Sequence, residues 1–232
     1  MCPDGTGVGA ILRTRHASGP CGVRRVDVHR DPVRVLRAWL FAVWIAFAFA
    51  LTSCASGSGG GRGAQVPSAT LVGESGESGE SMDVRVLARQ APLTVLVFFS
   101  PGCRCLCQHE PRLRDIYRAF RPRGAKLLMV DSEVRGSLER DALEACDHGY
   151  PFPIVLDRCA EFADALGAKY ASYPVVIDRS GRVRYRGGID SDETHLHDDA
   201  AFYLRDAMVD LLAGREPRVS SGKTLGCSLQ KW

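Results

Sequence analysis

The chain has 232 residues and 45% hydrophobic content, enough for one domain of ordinary size with a buried core plus non-globular sequence. The formal charge is +3, but residues 1–53 hold seven Arg against three Asp, and without them 23 basic and 24 acidic residues leave a net charge of −1. This balance gives no reason to expect nucleic acid or an anionic membrane surface as a partner. Nine cysteines indicate an oxidising compartment or a redox or metal site.

The first 53 residues are predicted to be an export segment. Ala38–Leu51 is an uncharged apolar run of 14 residues that follows Arg34 and Arg37, which is short for a membrane span and typical of a signal-peptide core. Because some 30 residues with no apolar periodicity precede Arg34, we expect the true start codon to lie nearer the apolar run.

The apolar run ends in Leu-Thr-Ser-Cys at residues 51–54, which resembles the lipobox of bacterial lipoproteins. The resemblance implies that Cys54 is lipidated and becomes the new N-terminus. Ala55 after it resembles the enteric signal for the outer membrane, so we expect a lipid anchor there, facing the periplasm. The alternative is a short buried helix followed by an unrelated cysteine.

Residues 54–81 are predicted to be a flexible linker. Their composition is dominated by Gly, Ser and Glu, with too few apolar side chains to offset the entropy of ordering. We therefore place the folded domain at residues 82–215 and a C-terminal tail that carries Cys227 at residues 216–232.

Hydrophobic periodicity predicts alternating strands and helices in the domain. The predicted strands are Val84–Val86, Leu93–Phe99, Ala125–Val130, Ile154–Leu156, Val175–Ile177 and Val183–Arg186, and the predicted helices are Gln108–Phe120, Ser137–Ala145, Ala160–Leu166 and Asp199–Leu212. This order predicts an α/β fold with a central mixed β-sheet and helices on both faces.

Two motifs resemble the thioredoxin superfamily. Phe98–Cys103 (FFSPGC) precedes a predicted helix, and Pro174 comes directly before a later strand. The long insertion between them resembles the redoxin branch, the AhpC/TSA and TlpA-like groups, and Tyr185–Asp190 with Gly226-Cys227 resembles secreted bacterial redoxin-domain proteins. The resemblance implies a thioredoxin-like fold with a redoxin-type insertion.

Three alternate cysteines, Cys103, Cys105 and Cys107, lie where the first long strand gives way to a helix. Unpaired N–H groups and the helix dipole stabilise a thiolate at such a place, so we predict a lowered pKa for Cys103, assisted by Arg104. The resemblance aligns Cys103 with the attacking cysteine of thioredoxins. Leu106 stands where their resolving cysteine would be.

Resolution must therefore come from Cys105, Cys107 or a distant thiol. The tail can fold back at little entropic cost, which makes Cys227 a candidate. Cys146 and Cys159 are predicted to form a structural disulfide or to be two buried free thiols.

By the same resemblance, Pro174 corresponds to the cis-proline that faces the active cysteine. Tyr173 before it would then contact substrate through its backbone.

The leading functional prediction is an envelope thiol–disulfide oxidoreductase that needs no cofactor. Its expected partners are the thiols and disulfides of exported proteins and a membrane or periplasmic reductant. A thiol peroxidase of the AhpC/TSA type is another possibility, although Ser100 and Leu96 stand where peroxiredoxins carry Thr and Pro.

A metal-binding function is the alternative from a different class. Cys103 and Cys107 form a CxxxC motif that, together with His195, resembles the copper site of Sco chaperones, and two thiolates with an imidazole suit Cu(I). His109 and His197 are predicted to be solvated surface histidines.

Overall fold

The computed structural model describes residues 63–73, 80–193 and 195–231. The predicted signal peptide and the predicted lipidation site at Cys54 lie outside these ranges. None of the helices in these ranges has the length and apolar character of a membrane span.

The described residues form one seven-stranded sheet with five α-helices. The strands are β1 (Thr70–Gly73), β2 (Glu80–Asp83), β3 (Leu93–Phe99), β4 (Lys126–Asp131), β5 (Ile154–Leu156), β6 (Pro174–Asp178) and β7 (Val183–Arg186). The helices are α1 (Val84–Arg89), α2 (Arg104–Phe120), α3 (Leu138–His148), α4 (Glu161–Leu166) and α5 (Tyr203–Leu212).

The sheet is mixed, in the strand order β2-β1-β5-β4-β3-β6-β7. The central strand β3 runs parallel to β4 and antiparallel to β6, and β4 runs parallel to β5. All seven residues of β3 are buried, as its continuous apolar sequence predicts for a strand covered on both sides. The predicted mixed-sheet α/β architecture is confirmed.

The folded region begins earlier than residue 82, so the predicted linker boundary needs correction. Val66 N donates to Gly181 O (2.8 Å), and β1 pairs with β2 and, at Val72, with Leu156 of β5. Leu71 is fully buried. These pairings join distant parts of the chain, so the local Gly/Ser-rich composition gave no sign of them.

The segment predicted as an edge strand at Val84–Val86 is the start of helix α1. Asp83 caps it, because its Oδ1 accepts from Arg85 N (2.8 Å) and Val86 N (3.1 Å). The buried residues Val84, Leu87 and Ala88 follow helical spacing. Val86, which the strand pattern required to be inward, is 50% exposed.

The other predicted elements are present, with shifts at their ends. Helix α2 starts at Arg104, four residues before the predicted start at Gln108, and α5 starts at Tyr203, after the predicted Asp199. Strand β7 matches the predicted Val183–Arg186.

Candidate active site

Cys103 is the N-cap residue of α2, immediately after the turn that ends β3. Gly102 has a φ of +64°, a left-handed conformation that glycine adopts without strain, and Cys103 N donates to Ser100 O (3.2 Å). Cys107 N donates to Cys103 O (2.9 Å) and closes the first helical turn. Cys103 is only 2% exposed.

The C-terminal tail covers Cys103. Cys227 N donates to Cys103 Sγ (3.4 Å), and the Cys227 carbonyl accepts from Ala171 N (2.9 Å). Two residues on, Leu229 N donates to Lys169 O (3.0 Å), and Leu229 is buried. The tail therefore lies antiparallel to Lys169–Ala171 and brings the thiol of Cys227 to that of Cys103.

The close approach of the tail depends on glycine. A Cβ at Gly226 would lie 2.0 Å from Ala171 O, and one at Gly188 would lie 2.3 Å from Lys223 O. No side chain fits at either distance, so the backbone contacts that hold the tail over the thiol require these two residues.

The pKa of Cys103 is raised to about 11, which contradicts the lowered value expected at a helix start. Burial is the largest cause, and the hydrogen bond with the Cys227 side chain adds to it because that bond stabilises the protonated form of Cys103. Backbone hydrogen bonds at Leu106 and Cys227 act in the opposite direction but are outweighed. We call the arrangement in which the tail lies over Cys103 the docked state. In this state Cys103 is a protonated thiol.

The other two cysteines of the motif are half-buried free thiols. Burial raises the pKa of Cys105, with a contribution from the charge of Cys227. Burial also raises the pKa of Cys107, and the neighbouring carboxylates Glu110 and Glu144 add to that effect. Of these cysteines, Cys103 is the one whose sulfur accepts a hydrogen bond from the tail backbone.

Cys146 and Cys159 are both disulfide-bonded, which rules out the alternative of two free thiols. A disulfide between the two remains a prediction.

The prediction of a cis-proline is wrong, because none of the described peptide bonds is cis. The backbone of Tyr173 is also engaged within the sheet, since its carbonyl accepts from Phe98 N (3.1 Å) while Ser172 N donates to Phe98 O (2.9 Å). Ser172 has a φ of +63°, which turns the chain just before β6. The backbone that pairs with the tail is therefore Lys169–Ala171.

His109 is buried, contrary to its prediction as a surface histidine. Its Nδ1 lies 2.7 Å from Cys105 O and its Nε2 lies 3.0 Å from Asp190 Oδ1. Burial lowers the pKa of His109, but these two hydrogen bonds outweigh it, so that the pKa is raised overall. Arg112 Nε lies 3.3 Å from the other Asp190 oxygen.

The role of His109 could have been found from the helical repeat. The buried residues of α2 are Leu106, His109, Leu113, Ile116 and Phe120, so the histidine lies on the apolar stripe. A polar residue on such a stripe needs a buried partner, here Asp190 in the sequence Tyr185–Asp190.

His195, the histidine of the predicted copper site, is exposed, and the histidine ring next to Cys107 is that of His148. The copper site of Cys103, Cys107 and His195 stays a prediction. His197 is exposed as predicted, and its Nδ1 lies 3.0 Å from Asp192 Oδ1.

Solved structures with this fold come from several bacteria. An uncharacterized conserved protein from Geobacillus kaustophilus is 24% identical with a TM-score of 0.65, over 75% of this chain and 93% of that chain. A hypothetical protein from Sinorhizobium meliloti 1021 is 21% identical with a TM-score of 0.64, over 73% and 94%. The thioredoxin domain of a thiol-disulfide oxidoreductase from Bacteroides vulgatus is 18% identical with a TM-score of 0.45, over 54% and 87%.

The mixed sheet and the match to the AhpC/TSA family model at residues 63–186 confirm the predicted thioredoxin-like fold. The comparison with curated proteins finds no match. The comparison with family models matches the AhpC/TSA family at residues 63–186, a segment that includes β3, the cysteine motif and Pro174. Because this segment is more than half of the 232 residues, the chain belongs to the AhpC/TSA family.

Proposed function

We propose that this protein is a thiol–disulfide oxidoreductase of the cell envelope. Cys103 attacks a substrate disulfide and forms a mixed disulfide with the substrate, and Cys227 then resolves this mixed disulfide. The observation that carries this proposal is the position of Cys227, whose backbone N–H donates to Cys103 Sγ (3.4 Å). Membership of a redoxin family supports redox chemistry at a cysteine at the start of α2.

The reaction begins when the tail moves away from Cys103. Undocking removes the burial and the Cys227 contact that raise the Cys103 pKa, and leaves the thiol at the first turn of α2, where a thiolate is stabilised. The Cys103 thiolate attacks one sulfur of a substrate disulfide, forms a mixed disulfide and releases the other sulfur as a thiolate that takes up a proton.

The Cys227 thiolate then attacks Cys103 Sγ in the mixed disulfide. The Cys103–Cys227 bond forms, the second substrate thiolate leaves, and the substrate has gained two electrons that the protein dithiol has lost. A membrane or periplasmic thiol reductant returns the protein to the dithiol. The same steps in reverse oxidise the thiols of exported proteins.

Turnover of a disulfide substrate in the presence of a metal chelator tests this mechanism, because we propose that it needs no metal or cofactor. Cys103→Ser should abolish turnover, whereas Cys227→Ser should allow one attack and leave the mixed disulfide. Cys105→Ser is the matched control within the motif and should keep most of the activity. Full turnover by Cys227→Ser would contradict the role of the tail.

Reduction of peroxides is the second candidate, because the docked tail shields Cys103 from a protein substrate more than from a small oxidant. The Cys103 thiolate would attack the peroxide O–O bond and become a sulfenic acid, with water or an alcohol as the other product. Cys227 would then form the disulfide and release water. Faster turnover with hydrogen peroxide than with a protein disulfide would favour this function.

We also propose that Cys54 carries a lipid that anchors the protein to the outer membrane, facing the periplasm. The proposal rests on the Leu-Thr-Ser-Cys sequence at the end of the apolar run. Labelling with a radioactive fatty acid should mark the wild type and not Cys54→Ala. Label retained in the variant would contradict the anchor.

A further inference from the structure

Cys107 lies beside two other groups that can bind a metal ion. Cys107 and Glu110 are one turn apart on α2, and His148 is the last residue of α3, which Gly149 ends with a φ of +60°. One donor atom from each of the three side chains lies within 4.8 Å of the other two. The exchange between Cys103 and Cys227 uses none of these side chains.

Neighbouring side chains hold this triad of Cys107, Glu110 and His148 in place. Glu110 Oε1 lies 2.7 Å from His148 Nδ1 and accepts a hydrogen bond from the Tyr150 hydroxyl (2.7 Å). The Tyr150 ring stacks on the His148 ring, with 5.3 Å between centroids and 21° between planes. The imidazole and the carboxylate are therefore fixed before any ion arrives.

The second nitrogen of His148 also faces a carboxylate. His148 Nε2 lies 3.6 Å from Glu144 Oε1, one helical turn earlier on α3. A metal-bound histidine usually donates its other N–H to a carboxylate, which fixes the ring and strengthens it as a ligand. With a carboxylate at each nitrogen, His148 can bind an ion through one and be oriented through the other.

The carboxylates around the triad favour the binding of a cation there. Cys107 faces Glu110 and Glu144, and the opposing charge is Arg114, whose Nη2 lies 3.5 Å from Glu110 Oε2. Arg114 therefore contacts Oε2 of Glu110, whereas Oε1 of the same carboxylate faces His148. The triad is half-buried, with the His148 side chain 31% exposed, so an ion can reach it from solution.

We propose that Cys107, Glu110 and His148 form a binding site for one Zn²⁺-like divalent cation, with Glu144 orienting His148 and a water as the fourth ligand. One thiolate, one imidazole and one carboxylate are the donor types that zinc binds in tetrahedral sites with an open position. Ligand atoms of such a site lie about 3.5 Å apart, so the present separations need only small side-chain movements.

Occupancy of this site takes Cys107 out of thiol exchange. The ion binds the sulfur as a thiolate and displaces its proton to solvent. Cys103 and Cys227 are left as the exchanging pair, and Cys107 is protected from forming a competing disulfide. The site does not depend on the proposed redox function.

Co²⁺ and Zn²⁺ titrations of the reduced full chain test the site. Co²⁺ should give a thiolate-to-metal charge-transfer band at one ion per chain, and Zn²⁺ in competition with a chromophoric chelator should remove it. Cys107→Ser should lose the band. Glu110→Gln and His148→Gln should keep the fold by circular dichroism and weaken Zn²⁺ binding by at least about tenfold.

Cys105→Ser and His195→Gln are the matched controls, since each removes a possible ligand of the same kind outside the triad. Both should bind Zn²⁺ like the wild type. Binding that is lost in Cys105→Ser, or unchanged in both Glu110→Gln and His148→Gln, would overturn the proposal. So would the absence of a charge-transfer band in the wild type.

Discussion

At the level of single residues, the docked tail controls the reactivity of Cys103 because it keeps the thiol protonated. An ordinary cysteine has a pKa of 9.0, and burial together with the Cys227 contact raises that of Cys103 to about 11. A raised pKa means that the docked state binds this proton more tightly than the undocked state. The contribution of this proton to the free energy of docking is therefore complete below pH 9.0 and is lost as the pH rises through about 11.

Cys227→Ser should lower the pKa of Cys103 because it removes the neighbouring sulfur. The pH dependence of Cys103 alkylation, followed by mass spectrometry of the labelled peptide, gives this pKa directly. The midpoint should move below the wild-type value of about 11 towards 9.0, and Cys105→Ser should leave it in place. An unchanged midpoint in Cys227→Ser would show that burial alone sets the pKa.

Asp190→Asn should destabilise the protein by about 3–5 kcal/mol, because it breaks a buried ion pair and leaves His109 and Arg112 without their partner. The His109 pKa is raised, so its stabilising effect is complete below pH 6.5 and is lost as the pH rises through the raised value. Urea unfolding over this pH range gives both quantities.

The exposed pair of Arg205 and Asp206 provides a control for that experiment. Asp206→Asn should change stability by less than about 1 kcal/mol, since its partner is half-exposed. Equal losses in Asp190→Asn and Asp206→Asn would contradict a special role for the buried pair.

At the level of elements, sequence periodicity predicted the strands and helices whose buried residues follow a regular local pattern. The buried run of β3 and the apolar stripe of α2 each define one element and one buried face. Strand β1 depends on pairing with β2 and β5, and α1 depends on a cap at Asp83, so a simple alternation of valines was misleading there.

The candidate site was predicted only in part, for the same reason. The absence of a cysteine at Leu106 suggested a remote resolving thiol, and the tail does bring Cys227 to Cys103. The tail pairs with Lys169–Ala171, whereas Tyr173 bonds to β3, and no local pattern encodes this difference. The Cys103 pKa likewise depends on burial by a segment 124 positions away.

Gly226→Ala should release the tail, because the new Cβ would lie 2.0 Å from Ala171 O. A loss of about 1.4 kcal/mol in docking raises the undocked population about tenfold, and alkylation of Cys103 at neutral pH should rise by at least that factor. Lys223→Ala, which removes only an exposed ion pair with Glu193, should react like the wild type. Equal alkylation rates in Gly226→Ala and the wild type would contradict the docked tail as the barrier.

At the level of the whole molecule, the first and last parts of the folded region complete the sheet and the site. Residues 63–66 pair with the turn before β7, and the tail crosses the start of α2 and then pairs beside β6. The lipid anchor proposed at Cys54 would hold this unit at a membrane surface through the few residues before Gly63.

Non-reducing peptide mapping of the fully oxidised chain tests the pairing of Cys103 with Cys227 most directly. Mass spectrometry should find a peptide pair joined through these two cysteines, with Cys105 alkylated before digestion as a free thiol. When Cys227→Ser is treated with a small-molecule disulfide, Cys103 should instead form a mixed disulfide with one half of that reagent, and the other half should leave as a thiol. A Cys227 that remains fully alkylated in the oxidised protein, with Cys103 joined to Cys105 or Cys107, would contradict the proposed mechanism.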